Sequence, residues 1–156
     1  MEEKKEEKAV GTGKLLVVIR ISGMVKVRDK VSETLDRLKL RRKYSCVLID
    51  GNDENLKGML KKVKFYVAYG EISKETLEKL IKERGERVEG RKKKIEVKEK
   101  EVAEGLMKGK KLKDYKLKEF FRLHPPRKGI DSKLQYPKGV LGNNKDKIND
   151  LIGRML

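Results

Sequence analysis

The sequence predicts an α+β fold in which strands and helices alternate as β-α-β-α-β. Residues 15–21 and 45–49 are aliphatic, largely β-branched runs, which are typical of buried strands. Each run is followed by apolar residues at helical spacing, and residues 65–69 then form a third strand-like segment. This order describes a small sandwich with two helices on one face of a sheet. Its connections favour a split β-α-β unit over a doubly wound sheet.

Both helices of this core have an apolar stripe and a boundary signal. Ser22 and Gly23 separate the first helix from the preceding strand, and Asp53 is placed to cap the second helix. The stripes repeat at intervals of three and four residues, in the first helix at Val27, Val31, Leu35 and Leu38 and in the second at Leu56, Met59, Leu60 and Val63. We therefore expect the first helix to end near Leu40.

The chain as a whole divides into four segments. A disordered, mixed-charge tail at residues 1–13 precedes the core at 14–72. A helical insert at 73–118 follows, and its apolar content is too thin for it to fold alone. Residues 119–156 predict a strand, a basic loop and a final helix that packs on the core.

Capping residues mark the helices outside the core. Ser73 precedes a helical pattern that Gly85 closes, and a second pattern in the insert ends at Gly109. Residues 129–144 are rich in glycine and lysine and predict a loop. Asn143 and Asn144, at the end of that loop, can cap the final helix.

Composition limits the class of partner. The chain has 42 Lys and Arg against 25 Asp and Glu, a net charge of +17, which attracts nucleic acid or an anionic membrane. No apolar run has the roughly 20 residues that span a bilayer, and we expect no signal peptide. The single cysteine, Cys46, lies in an apolar run and indicates a buried residue in a reducing compartment. We interpret the chain as a cytoplasmic nucleic-acid binder with no membrane contact.

Titratable groups suited to catalysis are scarce. His124 is the only histidine, so there is no histidine pair for a metal and no strong catalytic triad. The glycines lack the spacing of a P-loop or of a dinucleotide-binding turn. We predict that the chain is not an enzyme and has no cofactor, metal or small-molecule substrate.

Clusters of basic residues are the positive signal for function. A single cluster of this kind is explained equally well as a solvated turn, but this chain has four of them. They comprise Arg20, Lys26, Arg28 and Lys30; Arg41, Arg42 and Lys43; residues 91–94; and Arg127 and Lys128. Stacking aromatics are few, and the aromatic strand motif of an RNA-recognition module is absent. The pattern therefore favours a structured RNA read by shape and backbone.

The fourth cluster follows a pair of prolines. Residues 120–123 predict a short strand, after which Pro125 and Pro126 fix φ and push His124 towards an extended conformation. We expect a stiff extended arm that presents Arg127 and Lys128 to phosphate oxygens. The alternative is that the prolines only end the strand and the charges face water.

Five motifs follow one another along the chain. They are Val-Val-Ile-Arg-Ile-Ser-Gly at 17–23, Thr-Leu-Asp-Arg-Leu-Lys-Leu-Arg-Arg at 34–42, Lys-Gly-Met-Leu-Lys-Lys-Val at 57–63, Tyr-Val-Ala-Tyr-Gly-Glu at 66–71, and Phe-Arg-Leu-His-Pro-Pro-Arg-Lys-Gly at 121–129. In this order they resemble one family, that of ribosomal protein thirty of the archaeal and bacterial large subunit, which corresponds to protein seven in eukaryotes. The helical insert and the basic C-terminal region resemble the long form of archaea and eukaryotes, and the Leu-His-Pro-Pro sequence resembles the archaeal form. Departures are Lys57, where arginine is usual, and the Asp-Gly-Asn-Asp turn at 50–53.

The resemblance implies a ferredoxin-like core with a three-stranded antiparallel sheet. It also implies a structural role in the large ribosomal subunit, where the protein is a monomer that contacts ribosomal RNA and neighbouring ribosomal proteins. Together with the clusters, it predicts RNA contacts at Arg20, Ser22, Gly23, Lys26, Arg28, Lys30, Arg41, Arg42, Lys43, Lys57, Gly58, His124, Pro125, Pro126, Arg127 and Lys128.

Two other functions are compatible with the residues. A free-standing RNA-binding protein or RNA chaperone on the same fold would have the same basic clusters. An RNA-modifying enzyme would need an acid, base or nucleophile in a pocket, and only His124 is eligible.

Overall fold

The computed structural model describes residues 15–88, 98–130, 132–136 and 138–156. The predicted tail at 1–13 and the basic cluster at 91–94 lie outside the described residues. The described elements are β1 (Leu15–Arg20), α1 (Asp29–Arg37), β2 (Ser45–Asp50), α2 (Glu54–Val63), β3 (Val67–Glu71), α3 (Lys74–Arg84), α4 (Glu99–Met107), β4 (Phe120–Arg122), β5 (Gly142–Asn143) and α5 (Ile148–Met155), with short 3-10 helices at Leu112–Tyr115 and Lys145–Lys147.

All of these strands belong to one sheet in the order β4-β2-β1-β3-β5. β1 is antiparallel to both of its neighbours, so that Val18 lies opposite Val47 on one side and Tyr69 on the other. β2 and β3 are therefore parallel to each other with β1 between them. The connection through α2 passes over β1, and the predicted split β-α-β unit is confirmed.

The sheet is wider than the resemblance implies. Three antiparallel strands were expected, but β4 adds to β2 as an antiparallel edge strand, and β5 adds to β3 as a parallel one. The expectation of a plain loop at 129–144 is wrong at β5, because a two-residue strand that pairs through its backbone leaves no apolar alternation in the sequence. Gly142, with φ of +87°, makes the turn into that strand.

The predicted boundaries differ at two places. α1 ends at Arg37 instead of near Leu40, because Lys39 has a left-handed backbone with φ of +63° and stops the helix. β3 begins at Val67 rather than at residue 65, and Phe65 lies in the preceding turn with 57% of its surface exposed. An aromatic residue beside a strand was thus misread as part of it.

Helices cover both faces of the sheet. Val18 of β1 packs with α1 and α2, whereas Val17 and Ile19 pack with α3, α4 and α5. The prediction of two helices on one face is confirmed, and the other face is covered by the helices of 73–118 and by α5. Cys46 is fully buried there, and burial raises the pKa of its thiol, as expected for a small apolar core residue.

The packing on this second face indicates that the predicted insert is part of the main core. Leu77 of α3 and Ala103 of α4 belong to the same buried cluster as Ile19 of β1 and Ile152 of α5. The segment boundaries at 72/73 and 118/119 stay a prediction. The helices on either side of them share one core.

The predicted caps are mostly in place. Asp53 accepts a hydrogen bond from the Asn55 N–H (2.9 Å), and the Ser73 hydroxyl accepts one from the Thr76 N–H (3.3 Å). The two asparagines do not cap α5 directly, because a 3-10 helix intervenes. Asn143 accepts from the Lys145 N–H at the start of that helix, and the buried Asn144 side chain holds the loop.

We expect Gly70→Ala to lower the free energy of unfolding by about 1–3 kcal/mol. A Cβ on Gly70 would overlap the Lys145 carbonyl oxygen and lie 2.9 Å from Ile148 Cγ2, so β3 and the start of α5 would have to separate. Gly153→Ala is the matched control, because its Cβ meets nothing within 4 Å and a helical alanine adds about 0.5–1 kcal/mol. Urea unfolding measures both; equal stability of the two variants would contradict the close packing of α5 on β3.

Candidate nucleic-acid interface

The strand directions bring several loops to one end of the molecule. β1 ends where β2 and β3 begin, as shown by hydrogen bonds from the Tyr44 N–H to Arg20 O (2.6 Å) and from the Ser22 N–H to Tyr66 O (3.1 Å). β4 ends there too, since the Leu123 N–H donates to Tyr44 O (3.1 Å). The loops after β1 and before β2, and the segment after β4, therefore leave the sheet at the same end of the strands.

These loops hold most of the predicted cations. Eight exposed side chains at this end of the strands form what we call the basic end. None of the eight is in an ion pair with another described residue. The opposite end of the strands contains the acidic β2–α2 turn, with Asp50, Asp53 and Glu54, and also Lys110 and Lys111. The basic end consists of Lys26, Arg28, Lys30, Arg41, Arg42, Lys43, Arg127 and Lys128.

The start of α1 lies within the basic end. Arg28 occupies the N-cap position and makes no side-chain hydrogen bond to the first turn. The first backbone N–H groups of a helix have no partners within the helix, and such groups favour anions. A phosphate at this place would meet both these N–H groups and the surrounding cations.

Arg20 has a role that the sequence does not reveal. Its side chain is only 3% exposed, and the guanidinium donates to the carbonyl oxygens of Leu40 (2.7 Å), Ser22 (3.2 Å) and Gly23 (3.2 Å). Burial lowers the pKa of Arg20, and Asp36 opposes that shift. These hydrogen bonds engage the guanidinium within the protein, and the phosphate contact expected at Arg20 stays a prediction. Arg20 joins the loop after β1 to the chain that follows α1.

Ser22 and Gly23 fall on the surface beside Arg20. Ser22 is partly exposed, Gly23 is exposed, and their carbonyl oxygens accept the Arg20 hydrogen bonds. A Cβ on Gly23 would meet nothing within 4 Å, so nothing within the described chain demands a glycine there.

The segment after β4 is docked and is not a free arm. The His124 N–H donates to Met155 O (3.2 Å) and the Arg127 N–H donates to Arg154 O (3.0 Å), so this segment satisfies carbonyls at the end of α5. Pro126 is buried and Pro125 is exposed. The stiffness expected from the prolines stays a prediction, and hydrogen bonds to α5 restrain the segment as well.

His124 is part of this docking. Its Nε2 lies 2.5 Å from the main-chain oxygen of Leu156, and its Nδ1 lies 2.7 Å from Pro125 O. The chain then turns, with the Gly129 N–H donating to Pro126 O (3.1 Å) and Lys128 at φ of +65°. The expected extended path therefore ends at Pro126, and the turn places Arg127 and Lys128 on the surface.

Lys57 and Gly58 do not join the basic end. They lie near the start of α2, which begins at the opposite end of the strands, where β2 ends. Lys57 is exposed, and a Cβ on Gly58 would meet nothing within 4 Å. If this motif contacts RNA, it does so on another surface of the molecule.

A basic groove that the sequence patterns do not reveal lies beside the basic end. One wall consists of Phe120 and Arg122 of β4 with Lys118 and Glu119, which precede that strand. The facing wall comes from residues 39–42, far away along the chain. Only the fold brings the two walls together.

Other kinds of site find little support in the described part of the chain. No group of three or more His, Cys, Asp or Glu side chains there is arranged to hold a metal ion. No described helix is long and apolar enough to cross a membrane.

We predict that Arg20→Met lowers the free energy of unfolding by about 1–3 kcal/mol, because it removes the donors of three carbonyl oxygens, of which Leu40 O is buried. Arg42→Met, at an exposed position, should change it by no more than about 0.5 kcal/mol. Denaturant unfolding followed by circular dichroism measures both. An Arg20→Met protein as stable as the parent, but with weaker RNA binding, would contradict this structural role and indicate that Arg20 contacts RNA directly.

Comparison with known proteins agrees with this geometry. The model of the family described as ribosomal protein L30p/L7e matches residues 16–67, which include α1, β2, α2 and all of β1 except its first residue. The chain is 45% identical over 152 residues to the large ribosomal subunit protein uL30 of Methanococcus maripaludis, covering 89% of this chain and 97% of that protein.

Two further archaeal relatives have the same name. The uL30 protein of Archaeoglobus fulgidus is 45% identical over 152 residues, covering 90% of this chain and 99% of the relative. That of Desulfurococcus amylolyticus is 41% identical over 165 residues, covering 92% and 99%. With matches of this length and identity, the chain belongs to the ribosomal protein L30p/L7e family.

Proposed function

We propose that this protein is a structural constituent of the large ribosomal subunit that binds folded ribosomal RNA through phosphate and sugar contacts at the basic end. The relatives that match nearly its whole length are named as large-subunit proteins. The observation on which the RNA contact rests is the set of eight exposed cations without ion-pair partners among the described residues. Cations of this kind gain free energy on contact with phosphates, because bound counterions are released from the RNA.

The surface chemistry favours a folded RNA read by its shape. The cations come from three separate segments of the chain and are fixed by the sheet, by Arg20 and by the docking of 124–129 on α5. A rigid array loses little side-chain and backbone freedom on binding, and it selects phosphates at matching positions. In this proposal the core at 14–72 and the segment 119–156 make the RNA contacts, and the helices of 73–118 cover the second face of the sheet.

The proposal also defines the surroundings of the protein. A family of ribosomal proteins is structural, and the chain is not an enzyme. We place it in the cytoplasm on the ribosome, as a monomer beside neighbouring ribosomal proteins. The helix faces outside the basic end are available to those neighbours.

A free-standing RNA-binding protein or RNA chaperone on the same fold is the second candidate, because the basic end would serve either function. The two differ in where the protein is found. A structural constituent sediments with the large subunit, whereas a free regulator forms a separate pool.

The test is sucrose-gradient sedimentation of the tagged chain in cells with uL30-type ribosomes. We expect nearly all copies to sediment with the large subunit, and a major pool at the top of the gradient would favour the free-standing protein. Salt washes then measure the RNA contacts. Arg41→Gln with Arg42→Gln should be released at lower salt than the parent, and loss of two phosphate contacts should reduce the log–log salt slope of RNA binding by about two.

The matched control is Lys79→Gln with Lys82→Gln, which removes the same charge from exposed positions of α3. If both double variants were released at the same salt concentration, net charge alone would explain binding, and the specific role of the basic end would be wrong.

A further inference from the structure

The groove along β4 is a second feature that the basic end does not explain. It has a volume of about 470 Å³ and lies between β4 and residues 39–42. A short backbone ladder extends its wall, with the Val88 N–H donating to Lys116 O (3.0 Å) and the Lys118 N–H donating to Glu86 O (2.8 Å). Ligand pockets for small molecules have volumes of roughly 300–1,000 Å³, so the groove has room for a single nucleotide.

The rim of the groove is strongly basic. Its six cations face one carboxylate, Glu119, which pairs with Lys39 and lies 3.3 Å from the Lys113 ammonium. Lys118 pairs with Glu86 at 2.9 Å. Three arginines are left with no ion pair to any described carboxylate, and the planar guanidinium suits the oxygens of a phosphate. These are Arg41, Arg42 and Arg122.

The floor of the groove is apolar and aromatic. Lys118 Nζ lies 6.0 Å and Arg122 Cζ 5.8 Å from the centroid of the Phe120 ring. The ring thus lies within cation–π distance of two long cationic side chains. Val88 also lines the groove and is 58% exposed, so its apolar surface is accessible to a ligand.

We propose that this groove binds an unpaired nucleotide of ribosomal RNA, with its base on Phe120 and Val88 and its phosphates on Arg41, Arg42 and Arg122. The inference rests on the proposed function and adds a site for single-stranded RNA to it. A flat apolar floor beneath a cationic rim is the arrangement by which proteins hold unpaired bases. An acidic peptide would satisfy the cations but would leave the aromatic floor uncovered, and paired RNA cannot present a base face to it.

The probe is a fluorescein-labelled hexauridylate, and its affinity for the full-length chain is measured by anisotropy. Phe120→Leu keeps an apolar side chain but removes the stacking surface, so we expect its dissociation constant to rise by about fivefold or more, with an unchanged salt slope. Phe65→Leu is the matched control, because Phe65 is an exposed ring with a lysine ammonium 5.1 Å from its centroid and lies outside the groove. Its dissociation constant should equal that of the parent.

Two further measurements use the unchanged chain and do not depend on how Phe120→Leu folds. In proton–nitrogen correlation spectra, hexauridylate should shift the amide signals of residues 39–42 and 117–122. A blunt RNA duplex and a hexaglutamate peptide should leave the signals of 117–122 in place.

The proposal is overturned if hexauridylate shifts signals only elsewhere, if Phe120→Leu binds it as tightly as the parent, or if hexaglutamate occupies the groove equally well. A greater loss of affinity in Phe65→Leu than in Phe120→Leu would also overturn it, because the base would then stack on Phe65. Sedimentation separates this result from the proposed function: a chain that enters the large subunit but fails these tests keeps its function and loses only the nucleotide site.

Discussion

The antiparallel pairing of β1 with both of its neighbours is the constraint on which the rest of the structure depends. β1 is buried on both faces, and its register opposes Ile19 to Cys46 on β2 and to Ala68 on β3. Because β2 and β3 must then begin where β1 ends, the loops that precede them meet at one end of the strands. A chain with a net charge of +17 thereby collects at one end cations that form no ion pair with the described residues, and it places an acidic turn at the other end.

Keeping so many like charges close together requires a rigid support. Arg20 provides part of it, since its buried guanidinium holds the turn after β1 and the chain after α1 in one network. The end of α5 provides the rest by accepting hydrogen bonds from His124 and Arg127. Both supports consist of hydrogen bonds to backbone carbonyl oxygens. They fix the positions of the basic loops, and the exposed side chains of those loops remain available to a ligand. The repulsion within the basic end is the interaction that phosphates would relieve.

How far the sequence predicts this structure depends on the range of the contacts involved. Apolar periodicity located the helices, and the capping roles of Asp53 and Ser73 followed from local hydrogen bonds. β5 was missed because its pairing with β3 uses backbone groups and leaves no side-chain pattern. The docking of 124–129 was missed for a similar reason, since local proline geometry gives no sign of a partner near residue 155.

The candidate site shows the same limit. Which residues are cationic is plain from the sequence, but which cations are free depends on burial and on distant partners. Arg20 and Arg42 look alike in the sequence, yet one is enclosed by carbonyl oxygens and the other is exposed. The β4 groove forms where residues 39–42 face Phe120. These residues are brought together only by the order of strands in the sheet.

Lysine acetylation of intact large subunits, compared with acetylation of the free protein, tests whether the basic end faces ribosomal RNA. Mass spectrometry reports the extent of modification at each lysine. We expect strong protection in the subunit at Lys26, Lys30, Lys43 and Lys128. Equal reactivity of these four lysines in the subunit and in the free chain, with protection confined to other surfaces, would contradict it.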